Sequence, residues 1–200
     1  MAITPDGARL ILREEGPATG LEFRTLRMQV PREADAGAPR PPAGPPQTEA
    51  LMEMKFNGMN AEVSPDGHWL AYQSNDSGRN EISVRPFPNV NDGHWTISTD
   101  GGTRPVWGRT GKELFYLDGT NALTAVSVHT TPMFSFDSPT KLFDGRYYAN
   151  EFGRTYDVSP DAQRFLMIKP IPGADQASAL PSMVVVLNWL EELKARVPSK

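Results

Sequence analysis

Apolar residues in this chain come in short blocks behind a recurring turn. Ile3-Thr4-Pro5-Asp6-Gly7 leads into Arg9-Leu10-Ile11-Leu12, and Val63-Ser64-Pro65-Asp66-Gly67 into Trp69-Leu70-Ala71-Tyr72. Trp107-Gly108-Arg109-Thr110-Gly111 leads into Glu113-Leu114-Phe115-Tyr116, and Val158-Ser159-Pro160-Asp161-Ala162 into Arg164-Phe165-Leu166-Met167. Pro presets φ at the first central turn position, Asp or Thr suits the second, and Gly supplies the positive φ from which the next strand starts. Each copy therefore predicts a strand, a tight turn and a second strand. The strands after the turn are apolar on consecutive residues, as in Leu114-Phe115-Tyr116-Leu117 and Phe165-Leu166-Met167-Ile168, so both of their faces are expected to be buried.

The second turn residue recurs at intervals of 60, 44 and 51 residues. Periods of this size belong to solenoids, propellers and arrays. Doubly buried short strands without helical crossovers fit propeller blades, which stack face to face. Within one unit, Trp69–Tyr72 is followed by turn formers at 75–79, a strand at Glu81–Arg85, a loop from Pro86 to Gly93 and an outer fourth strand at Trp95–Ser98. The next unit runs Arg104–Trp107, Glu113–Leu117, Leu123–Val128 and a short Lys141–Phe143 edge. The last runs Thr155–Val158, Arg164–Ile168 and Met183–Leu187, with no fourth strand. The expectation is an all-β partial propeller of four-stranded antiparallel blades, two whole and two partial, forming a single domain over residues 1–200. So little precedes the first turn that the chain reads as a piece of a longer propeller.

Two stretches break the period. Residues 31–48 hold Pro39, Pro41, Pro42, Pro45 and Pro46 among Ala and Gly, a composition that favours polyproline II and builds no core. They read as an exposed insertion between blade strands in preference to a docking site for a proline-binding module. After Leu187 the period turns helical: Leu190, Leu193 and Val197 share a face, Glu191 and Glu192 precede Lys194 and Arg196, and Asn188 caps. A short helix is expected over 188–197.

A formal net charge of −4, without a basic cluster, gives no reason to expect nucleic acid or an anionic membrane as partner. No cysteine is present, which removes disulfides and thiolate metal sites. No apolar run approaches the roughly 20 residues of a membrane span, and Met1–Leu12 lacks the form of a signal peptide, so a soluble segment without membrane contact is expected.

The Ser-Pro-Asp-Gly turn followed by Trp-Leu-Ala-Tyr resembles the TolB-like, WD-type propeller repeats of bacteria. More narrowly, Val63 to Tyr116, Tyr156 to Asp161 and Val185 to Leu193 resemble the C-terminal propeller of bacterial receptor-like serine/threonine protein kinases. That resemblance implies a sensing or protein-interaction domain behind a kinase domain and a membrane span, extracytoplasmic in such a parent. It does not imply phosphotransfer: the glycine-rich loop and His-Arg-Asp motif are missing, and Phe143-Asp144-Gly145 has the wrong order for a metal-binding Asp-Phe-Gly. The sequence departs from the repeat at Arg109-Thr110, in place of Pro-Asp, and at Ala162, in place of Gly.

Candidate chemistry resolves into structure at each point. Asp6, Asp66 and Asp161 occupy equivalent turns of different blades, too far apart for paired-carboxylate catalysis. His68, His94 and His129 lack ligand spacing. Asn89, Asn91, Asp92 and Gly93 lack the acidic register and closing Glu of a calcium loop. Ser64 and Ser159 precede turn prolines, where their hydroxyls bond locally, and no Gly-x-Ser-x-Gly elbow exists. Trp69, Trp95 and Trp107 lie on strands as inter-blade packing in preference to ligand stacking. No catalytic, cofactor-binding or metal-binding residue is assigned. The expected function is non-catalytic binding of a protein or peptide, with missing blades of a parent chain, or self-association through open blade faces, as further partners. A substrate-gating propeller of a prolyl-oligopeptidase-type hydrolase is the alternative, and a propeller enzyme with channel-bound metal is disfavoured by the scattered histidines.

Overall fold

The chain was analysed as a computed structural model, which describes residues 1–16, 20–28, 47–54, 56–131, 133–145, 147–149 and 153–168. Two compact units divide the chain, 1–170 and 171–200, and the described residues all belong to the first. The helix expected over 188–197, the strand expected at Met183–Leu187 and most of the Pro-rich segment lie outside the described residues.

Four antiparallel sheets follow one another in sequence. The first joins β1 (Ala2–Ile3), β2 (Arg9–Gly16), β3 (Gly20–Arg27) and β4 (Thr48–Glu53) in that order. Its inner strand is only two residues long, as the few residues before the turn require, yet three full strands follow it. Thr48, at the edge of the expected insertion, already pairs with Leu26 in the β3–β4 ladder. The second sheet orders β5 (Gly58–Val63), β6 (Trp69–Ser74), β7 (Glu81–Pro86) and β8 (Trp95–Thr96). In the third, β9 (Gly102–Trp107), β10 (Glu113–Asp118) and β11 (Leu123–His129) are followed by two segments that share the outer position. One is β12 (Ser135–Phe136), which pairs with the end of β11; the other is β13 (Thr140–Phe143), which pairs with its beginning. Sequence periodicity pointed to the second alone. Of the fourth sheet the described residues include β14 (Tyr156–Val158) and β15 (Phe165–Met167).

The cores lie between sheets, not within them. In β6, Leu70 and Tyr72 join Ile11, Phe23 and Met52 of the first sheet, while Ala71 between them joins Leu114 and Tyr116 of the third. In β10 the pattern repeats: Leu114 and Tyr116 look back to the second sheet, Phe115 and Leu117 forward to Tyr156 and Phe165. Alternating side chains point to opposite faces of a strand, so an unbroken apolar run serves two interfaces at once. Gly102 lets β9 close on the second sheet, since a Cβ there would stand 2.5 Å from Ser98 Oγ.

The four turns share one backbone. Gly7, Gly67, Gly111 and Ala162 have φ of 69°, 76°, 70° and 56°, and each N–H donates to the carbonyl three residues back, at 2.8 to 2.9 Å. In the three Asp copies, the hydroxyl of Thr4, Ser64 or Ser159 donates to the Asp carboxylate at 2.6, 2.5 and 2.5 Å. The same carboxylate accepts the N–H of Ala8, His68 or Gln163, and the hydroxyl oxygen accepts that of Arg9, Trp69 or Arg164. The turn chemistry is thus closed on itself.

Candidate groove on the innermost strands

The first strands of successive sheets face one another along a groove of about 420 Å³. Ile3, Asn60, Glu62, Arg104, Pro105 and Arg154 are among its lining residues. This wall arises from irregular backbone. The β5–β6 ladder slips between Met59 and Glu62, and the β9–β10 ladder between Phe115 and Leu117; at the slips Asn60 and Arg104 take φ of 51° and 56°. They stand 44 residues apart, the same interval as the second and third turns. The bulge is therefore part of the repeat, whereas its side chain changes from amide to guanidinium. Non-Gly residues in this region carry strain of roughly 1–2 kcal/mol, and bulges re-aim side chains.

Hydrogen bonds stitch these strands across sheets. The Glu62 carboxylate accepts the Trp107 N–H at 3.4 Å, and the Trp107 indole N–H donates to the Glu62 carbonyl at 3.2 Å. Tyr156 OH donates to the Arg104 carbonyl at 2.8 Å, and Gln73 Oε1 accepts both the Asn60 amide and the Arg104 N–H. Arg154 Nη2 lies 3.8 Å from Glu62 and 3.1 Å from Asp157. Burial pushes the Glu62 carboxyl up to about 7, against the pull of Arg154 and of the Trp107 N–H. Tyr156 is held well above the usual phenol range, first by burial and then by the charge of Glu62. Burial also lowers the Arg104 guanidinium from its ordinary value.

Of the residues weighed in the sequence, Trp107 alone bonds to a groove residue, Glu62, and the serines and histidines line no part of it. The hydroxyls of Ser64 and Ser159 are engaged by Asp66 and Asp161, as above. His94 Nε2 lies 3.0 Å from Ser83 Oγ, but Ser83 is buried, which leaves the pair no access to a substrate. Burial and the neighbouring Arg85 lower the His94 imidazole below its usual range. His129 pairs with Asp137 at 3.3 Å on the surface. Among the described residues no group of three His, Asp or Glu side chains could hold a metal ion, and no described helix is long and apolar enough to cross a membrane. Trp69 and Trp95 pack on the core between the second and third sheets, and Trp107 belongs to it. Sequence reading missed Glu62, Arg104 and Arg154. The available signal was the alignment of Gly58-Met59-Asn60-Ala61-Glu62-Val63 with Gly102-Thr103-Arg104-Pro105-Val106-Trp107 at the 44-residue interval, which sets polar residues into otherwise apolar inner strands.

Among solved structures, TolB from Acinetobacter baumannii superposes on 87% of this chain with a TM-score of 0.56 at 14% identity. The fold is TolB-like. This TolB-like chain covers 38% of that protein's length. A putative TolB from Agrobacterium tumefaciens superposes more loosely, with a TM-score of 0.46 and 12% identity over 68% of this chain and 47% of that one. A functionally unknown protein from Desulfotomaculum acetoxidans DSM 771 gives 0.39 and 15% over 84% and 61%. No family model and no curated protein matches the sequence. At these identities the TolB likeness is one of fold.

Proposed function

We propose that the chain is a non-catalytic segment of a β-propeller that binds a protein or peptide ligand in the groove of its innermost strands. One observation carries this reading: at the groove, the positive-φ residues Asn60 and Arg104 and the polar side chains of Glu62 and Arg154 converge on a concavity of about 420 Å³. The concavity of about 320 Å³ at the first two turns is instead lined by Thr4, Asp6 and Asp66, whose side chains are engaged within their own turns. The turn serines and aspartates, which would be the natural candidates for chemistry, already satisfy one another. A synthetic library of short peptides screened against the full chain tests the reading. Binders should lose affinity at least tenfold for Arg154→Glu, a half-exposed groove residue outside the apolar clusters between the sheets, with the folded β spectrum of the variant as control. Binders indifferent to that change would place the interaction elsewhere and overturn it.

The finer assignment, a single propeller domain within the extracytoplasmic sensor of a receptor-like serine/threonine kinase, is proposed on the sequence resemblance of Val63–Tyr116 and Tyr156–Asp161. Coding sequence upstream should hold a kinase domain followed by a membrane span. A downstream α/β-hydrolase domain would favour the peptidase alternative instead.

A further inference from the structure

We infer that Arg104 is the anchor for a ligand carboxylate in the groove of the innermost strands. This rests on the groove reading and specifies what the groove recognises. Arg104 is 7% exposed and lines the concavity. Its Nη1 donates to Thr103 Oγ1 at 2.9 Å, and its Nε has no partner among the described residues. No described carboxylate lies within ion-pair distance of it. Glu62, the acidic residue of the groove wall, is engaged by Arg154 and the Trp107 N–H, and Tyr156 meets the Arg104 carbonyl, not the guanidinium.

Buried charges are ordinarily paired, because an unpaired one forfeits its hydration for nothing. A guanidinium also stays charged where a lysine would neutralise. Here the charge sits at a bulge whose counterpart in the preceding repeat, Asn60, is neutral, so the fold does not require it. The Nε is closed to solvent, so a ligand would meet the Nη edge of the planar guanidinium, which matches a carboxylate in bidentate fashion. The carboxylate could be the C-terminus of a peptide or an Asp or Glu side chain within it.

The test uses the full chain and two readouts. In the first, the Arg104 Nε–H resonance, assigned by its loss in Arg104→Met, is followed during titration with sodium acetate. A saturable shift absent with equal sodium chloride supports the site, and no shift overturns it whether or not any peptide ligand is known. In the second, groove-binding peptides are compared as free acid, as C-terminal amide, and with each Asp or Glu replaced by Asn or Gln. One of these removals should weaken binding about 10- to 100-fold and have no further effect on Arg104→Met; which one does so identifies the source. If peptides remain sensitive to Arg154→Glu yet tolerate every carboxylate removal, the carboxylate site falls while the groove reading stands. Thermal unfolding provides the control for a structural role: Arg104→Met should unfold at the same temperature as the parent or higher. A clear drop with a retained β spectrum would make the guanidinium a structural element and overturn the inference.

Discussion

The hairpin turns and the innermost strands are built from the same repeat and treat polar groups in opposite ways. At the turn, Ser64, Asp66 and the N–H groups of Gly67, His68 and Trp69 form a closed set of hydrogen bonds. In the groove, Asn60 and Arg104 sit at positive φ, one guanidinium nitrogen lacks a partner and a carboxyl titrates near neutrality. The repeat supplies the scaffold, and the proposed ligand groove lies where its inner-strand side chains change from Asn60 to Arg104.

The largest test of this contrast is Glu62. Its carboxyl is raised by burial, and Arg154, Asp157, Tyr156 and the Trp107 N–H face it. A carboxyl with a folded pKa above its unfolded value holds its proton more tightly in the folded state, so stability declines as pH rises from about 4.5 to about 7. Glu62→Gln should flatten that slope in denaturant melts and stabilise the chain at pH 8 by on the order of 2–3 kcal/mol, discounting for its partial solvent contact. A slope unchanged by the substitution would show that Glu62 is no weaker a scaffold element than the turn residues.

Next in size is the turn network. Asp66→Ala leaves the buried Ser64 hydroxyl and the His68 N–H without their acceptor and should cost about 1–2 kcal/mol. Thr110→Ala, at the turn where Gly108 replaces Ser and only a 3.3 Å contact to the Lys112 N–H exists, should cost less than about 0.5 kcal/mol. Equal losses at the two sites would mean the side-chain bonds add nothing to the shared backbone.

A comparable backbone term is read from Gly67 and Ala162. A Cβ at Gly67 meets no atom within 4 Å, so Gly67→Ala isolates the cost of φ at 76°, roughly 1–2 kcal/mol. Ala162→Gly should gain less, about 0.5–1 kcal/mol, because glycine also loosens the unfolded chain. Opposite signs for the pair, measured by urea unfolding, are the expected outcome.

How much of this was legible before the structure depends on whether the information is local. Turn geometry is local, and the positive φ of Ala162 follows from its alignment with three glycines. Doubly apolar strands forecast cores on both faces of each sheet, and β6 and β10 show how, residue by residue. Polar alternation in β7 gave a strand without showing that its polar face is also enclosed. There Glu81 accepts from Ser98 and the Gly101 N–H, and Ser83 meets His94. β12 escaped because two residues hold no periodicity. The groove escaped for a different reason: Glu62 and Arg104 belong to two sheets and Arg154 precedes the first strand of another, and only closure of successive sheets brings them to one wall. Their roles depend on burial, which no spacing encodes.

Phe134, from the segment between β11 and β12, reaches back to the second sheet. Its ring packs against both Trp69 and Trp95, with centroids at 4.6 and 4.7 Å, and the two indoles stand edge to face at 5.8 Å. Close, fixed indoles couple their electronic transitions, so this trio is an optical reporter written into the molecule. Trp69 on β6 and Trp95 on β8 are both held on β7, so their coupling reads the integrity of the second sheet's outer half, against which Phe134 packs. Fraying of the two-residue β8 from β7 would therefore be visible in circular dichroism as loss of the coupled indole band before the β signal fades.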